Sequence, residues 1–169
     1  MNAIFARKSV RTFTDQKVDK DSLLKIVHAG MAAPSAMNVK PWQFIVIEDP
    51  EQKKKVSSIS PYARFAATAK AVIIALADTS KISRMNNKWE QDLSAATENM
   101  LLQIVEEGLG GCWIGLYPNE DRMKEISSVI QSPSHIIPFS IIALGHTDAE
   151  PAHRQTFDDS IIHWDRYDK

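Results

Sequence analysis

Three stretches of the chain are apolar almost without interruption: Trp42-Gln43-Phe44-Ile45-Val46-Ile47, Ala71 to Ala77, and Ile136 to Leu144. A strand wetted on one face alternates apolar and polar side chains, so continuous runs of this length imply a sheet covered on both faces. Helices must supply the cover. Leu23, Leu24, Ile26, Val27 and Met31 predict one over residues 19–33, ended by Pro34; residues 2–8 suit a short helix and residues 53–59 an exposed one. The longest helix, about 89–107, carries Leu93, Ala96, Met100, Leu101, Ile104 and Val105 and leaves little polar surface. That breadth implies burial on several sides, in the core or across a subunit interface. Gly108-Leu109-Gly110-Gly111 stops this helix, residues 112–115 form a short strand or turn, and residues 119–130 form a helix capped by Asn119. The 169 residues suit a single domain, residues 1–169, burying about 70% of its unfolded surface. Residues 151–169 lack periodicity, yet Ile161, Ile162, Trp164 and Tyr167 are costly to leave in water, so an arm packed on the protein or on another subunit is expected.

A formal net charge of −1 gives no reason to expect nucleic acid or an anionic membrane as partner. The apolar runs are too short to span a bilayer, no export segment is evident, and the lone Cys112 rules out an intrachain disulfide. A cytoplasmic setting is the expectation. Against this neutral background Arg7-Lys8-Ser9-Val10-Arg11 is a local concentration of charge. Arginine forks and a serine hydroxyl suit phosphate oxygens, so a phosphorylated cofactor is the first candidate ligand. Solvated surface cations are the plainer alternative.

Other constellations carry less. The glycines at 108, 110, 111 and 115 follow a helix, and Trp113 stands where a dinucleotide fingerprint needs its third glycine. A helix stop and tight turn explain them. Cys112 could pair with His28, His135, His146, His153 or His163, but a lone cysteine beside Trp113 reads as a small core residue. No helical histidine pair suggests a metal. Glu106-Glu107 and Asp158-Asp159 read as solvated, and Trp42, Phe44, Trp89, Trp113 and Trp164 as core.

In this order along the chain, Arg7-Lys8-Ser9-Val10-Arg11 with Phe13, Ala33-Pro34-Ser35-Ala36-Met37-Asn38 before Pro41-Trp42-x-Phe44, Gly108 to Gly115, and Leu144-Gly145-His146 resemble the FMN-dependent nitroreductase superfamily. The resemblance implies an α+β fold: a central mixed, mainly antiparallel sheet sandwiched by helices, with an extended C-terminal arm. It also implies a homodimer with two FMN sites at the interface. By position, Arg7, Lys8, Ser9 and Arg11 would bind the flavin of one protomer, with Arg7 and Ser9 at the phosphate and Arg11 near the pyrimidine edge. There a cation stabilises the charge that gathers at N1 on reduction. Pro34, Ser35, Ala36 and Asn38 would come from the partner subunit, and Ile114, Gly115 and Leu116 resemble the turn whose backbone N–H faces flavin N5. Arg154 matches a second phosphate ligand from the C-terminal segment.

Two departures stand out: Lys40 replaces a common glutamine and is expected to point outward, and the short stretch between Asp78 and Trp89 lacks the helices that cover substrate in larger members. The implied activity is transfer of hydride from NADH or NADPH through FMN to nitroaromatics, quinones or similar small electron acceptors, with no side chain as acid or base. A non-catalytic FMN-storage or redox-sensing protein would use the same residues.

Overall fold

Every residue of the strand Ala71–Asp78 is buried, because it runs through a four-stranded sheet covered on both faces. The computed structural model describes residues 2–83, 87–151 and 157–167. Their main elements are α1 (Ala3–Ala6), α2 (Lys20–Met31), β1 (Trp42–Ile47), α3 (Pro50–Ser58), β2 (Ala71–Asp78), α4 (Trp89–Glu106), β3 (Gly110–Gly115), α5 (Glu120–Ile130) and β4 (Ile136–Gly145). The sheet order is β1-β2-β4-β3 with antiparallel neighbours. A parallel bridge from Ser9 to Gly111 extends it past β3.

Period two divides β2 between two cores. Ala71, Ile73, Ala75 and Ala77 pack with α2 and α4, while Val72, Ile74 and Leu76 pack with Val56 of α3, Ala63 and Ala66 of the 3-10 turn Pro61–Ala67, and Ile126 of α5. In β4, Ile142 and Leu144 join the first core, Ile141 and Ala143 the second. Each fully buried Ile or Leu contributes about 1.5–3 kcal/mol. Thr97 and Ser140 are fully buried polar residues of the first layer. The Thr97 hydroxyl lies 2.7 Å from the Leu93 carbonyl and 3.1 Å from Ser140 Oγ, so neither is stranded.

A bulge in β4 shapes the end of β3. Ala75 pairs with Ser140 but Leu76 pairs with Pro138, so Phe139 is the extra residue, beside a proline that has no N–H for the ladder. The Phe139 carbonyl accepts the N–H groups of Leu116 (3.2 Å) and Tyr117 (3.1 Å), fixing where β3 stops.

Several expectations need correction. Strand β1 is an edge strand whose middle is open to solvent, with Val46 exposed. Helix α3 begins at Pro50, earlier than residue 53, because Asp49 accepts the Gln52 N–H; it is not simply exposed, for Lys53, Val56 and Ser57 are buried. Lys53 reaches inward to the carbonyls of Ala69 (2.7 Å) and Lys70 (3.3 Å), and burial pushes its ammonium below its ordinary value. Glu107 is not solvated: it accepts from Ser22, Lys25 and Gln103, and the Lys25 ammonium holds its carboxyl below the usual range. Trp164 is exposed rather than core, as are Ile161, Ile162 and Tyr167. Among the described residues no helix is long and apolar enough to cross a membrane.

Candidate functional site

The open edge of β3 is the place where the charged N-terminal segment meets the sheet. After α1, the chain extends beside β3, and the Val10 N–H donates to the Gly111 carbonyl at 2.9 Å. This approach requires glycine at 110, where an added Cβ would stand 2.7 Å from Val10 Cγ1 and 2.7 Å from Thr147 Cγ2. Gly108 ends α4's loop at φ +71, the left-handed conformation that favours glycine.

The direction of the β3 backbone follows from its two ends. Gly111 turns its carbonyl outward to Val10, whereas the Leu116 N–H turns inward to Phe139. Alternation along an antiparallel strand then directs the N–H groups of Trp113 and Gly115 outward and those of Cys112 and Ile114 into the ladder. Gly115 is exposed, and no heavy atom lies within 4 Å of where its Cβ would be. Of Ile114, Gly115 and Leu116, therefore, Gly115 is the one whose N–H points away from β4, and its carbonyl on the same side meets Arg122 Nη1 at 3.5 Å. Ile114 and Leu116 are buried and fix its position.

The cations lie along the same edge. Arg7 and Lys8 line a cleft of about 560 Å³ whose other walls include Leu101, Val105, Gly110 and Thr147. Exposed Asp148 and Glu150 also border it. Arg7 Nε is 3.2 Å from Glu98 Oε1. Further along, the Arg11 guanidinium sits 5.7 Å above the Phe65 ring centroid. Cys112 beneath this segment is 2% exposed, and burial pushes its thiol up despite Arg11 and a hydrogen bond from Ser9. That is the environment of an inert core thiol.

The loop carrying Pro34, Ser35, Ala36 and Asn38 lies elsewhere. Its Ala36 N–H donates to buried Asp92 at 2.8 Å, and the Ser35 hydroxyl accepts from the Lys40 N–H at 2.9 Å. Met37, Asn38 and Lys40 all have positive φ (54°, 56° and 51°). Strain of about 1–3 kcal/mol for such a residue persists only where neighbours impose it, and it gathers at functional sites. Met37 and Asn38 are exposed, as is Lys40. The loop hangs from Asp92 and Arg7 from Glu98, six residues apart on α4 and so about 120° apart around its axis. One chain thus sets Arg7 and Lys8 at a cleft beside Gly110 and pairs Ser9 with Gly111 on the β3 edge, with Arg11 over Phe65 and Gly115 at the far end of that strand, and it holds the 34–38 loop on another face. Arg154 lies outside the described residues.

Asp92, Glu98 and Phe65 were not legible as contributors. Asp92 had a signal, an acid within the apolar stripe of α4; Glu98 looks like any solvated glutamate.

Known proteins share this fold. The model of the Nitroreductase family matches residues 4–64 and 58–146. A Methanothermobacter thermautotrophicus protein provisionally named NADH dehydrogenase/NAD(P)H nitroreductase is 37% identical over 99% of this chain and 87% of its own length. The crystal structure of a Clostridium acetobutylicum protein provisionally named NADH oxidase superposes with TM-score 0.93 at 39% identity, covering 98% of this chain and 99% of that one. An FMN-dependent nitroreductase from Clostridium difficile R20291 superposes with TM-score 0.90 at 29% identity, over 98% and 99% of the two chains.

Proposed function

The chain belongs to the nitroreductase family, and on that premise we propose that it is a homodimeric, FMN-dependent NAD(P)H oxidoreductase. A nicotinamide and then a nitroaromatic, quinone or similar electron-poor acceptor use one open site in turn. What supports this reading is the β3 edge, where Ser9 pairs with Gly111, Arg7 and Lys8 line the cleft beside Gly110, and the Gly115 N–H points away from β4 at the other end of the strand.

The residues present fit the cofactor. Arg7, Lys8 and Ser9 would hold the phosphate, by charge-assisted bonds about twice as strong as neutral ones. Arg154 is retained as a second phosphate ligand. Arg11 would place positive charge at the pyrimidine edge, and Gly115 would donate its N–H to the reactive side of the ring. Ile114 and Leu116 would hold that donor in place from the buried side. FMN, when bound, supplies the chemistry by accepting hydride at N5 and yielding it again.

Pro34, Ser35, Ala36 and Asn38 of a second copy would close the site. The separation of this loop from Arg7 within one chain supports that reading. So do the exposed Ile161, Trp164 and Tyr167, apolar surface of the kind that marks an interaction site.

The purified protein is expected to be yellow. Mixed without air with NADH or NADPH, its flavin band should bleach and then recover on adding a nitroaromatic. A flavin that stays oxidised with either nicotinamide would instead identify a binding protein without turnover.

A further inference from the structure

We propose that Glu98 is a positioning residue for the phosphate end of the cofactor, holding the Arg7 guanidinium by its Nε edge so that the edge bearing both Nη groups is left for the cleft. This rests on the FMN reading above. The contact is specific in its atoms: Glu98 Oε1 meets Arg7 Nε at 3.2 Å. A guanidinium offers its donors in a rigid fork, so a carboxylate bound at Nε leaves the terminal pair to grip two phosphate oxygens.

Glu98 is also placed for the task. It stands on α4 three residues before Leu101 and seven before Val105, on the helical stripe that lines the cleft beside Arg7. The Arg7 and Glu98 side chains are 34% and 46% exposed, so their pairing adds little stability by itself. Its effect is to restrict a long, flexible side chain before the ligand arrives.

Charge alone predicts the opposite effect. A carboxylate near an anion site repels phosphate, and removing it should tighten FMN. The sign of the change therefore separates positioning from simple electrostatics.

The test compares Glu98→Ala, Glu98→Gln, Arg7→Ala and the double variant Arg7→Ala/Glu98→Ala, each loaded with FMN or with riboflavin, which lacks the phosphate. Flavin release on dilution is followed by fluorescence. Glu98→Ala should weaken FMN by about three- to tenfold, the scale of ordering one long side chain. Glu98→Gln, which keeps an oxygen at the same reach of Nε but not the charge of the ion pair, should fall between Glu98→Ala and the parent protein. Riboflavin binding should not change, and Glu98→Ala should add nothing once Arg7 is gone.

Unchanged or tighter FMN binding in Glu98→Ala would overturn the role, as would an equal loss with riboflavin or in the Arg7→Ala background. If Arg7→Ala weakens FMN while Glu98→Ala does not, only Glu98 loses its assignment. If Arg7→Ala leaves FMN affinity unchanged, the phosphate site itself is misplaced.

Discussion

Gly115 is the residue on which the proposed site turns, and its geometry makes a sharp substitution available. Its N–H points off the sheet, so Gly115→Pro removes the donor without breaking a ladder bond to β4. FMN should still bind, while hydride transfer from the nicotinamide slows on the order of 100-fold, as for one lost donor to developing charge. Stopped-flow bleaching of the flavin band measures it, and a rate equal to the parent's would remove Gly115 from the site. Cys112→Ser tests the rival thiol chemistry. Because the thiol is buried and pushed up, oxidoreductase turnover should persist in that variant. At this scale the cation cluster suggests an anion site by residue type alone, whereas the reading of Gly115 comes from the family resemblance. Glu98 leaves no such trace, because pairing between distant segments has no local pattern, and Asp92 shows only as an acid within the apolar stripe of α4. Glu107 misled for the same reason: its partners Ser22 and Lys25 lie more than 80 residues away.

That carboxylate ties the start of α2 to the end of α4. Replacing Glu107 with Ala should cost about 1.5–3 kcal/mol in urea unfolding at neutral pH, the worth of a hydrogen bond to a charged group. The pH dependence has a fixed sign. The folded-state value lies below the ordinary 4.5, so the contribution is fully present above that pH and is lost as pH falls through the lower folded value. The stability gap between parent and variant should thus be level near neutrality and shrink on acidification; a gap that widens in acid would refute the clamp. At the scale of elements, β2, β4, α2, α4 and α5 were readable from their apolar periods and caps. Strand β1 was read as buried because apolar residues reveal a strand but not its place in the sheet order. The Pro61–Ala67 turn was missed altogether: its inward residues Ala63 and Ala66 are too small to make a hydrophobic period.

In the whole molecule, two cores grip one sheet, and the apolar side chains left exposed among the described residues include Ile161, Ile162, Trp164 and Tyr167 of the C-terminal segment. The continuous strands made the two-sided sheet legible in advance. The bulge at Phe139, which fixes where β3 stops, depends on pairing between strands and was not. If the arm is an interface, Trp164→Glu should weaken dimerisation in concentration-dependent sedimentation. On an isolated chain, where Trp164 is 78% exposed, the same change should alter stability by no more than about 0.5 kcal/mol.

The central claim is that a flavin lies along the β3 edge in a seam between two copies. Sedimentation equilibrium of the flavin-loaded protein, read in the protein band and the flavin band together, tests it most directly. The account predicts the mass of two chains with one flavin per chain moving at that mass. Flavin travelling with a single chain, or a dimer that carries none after loading, would contradict it.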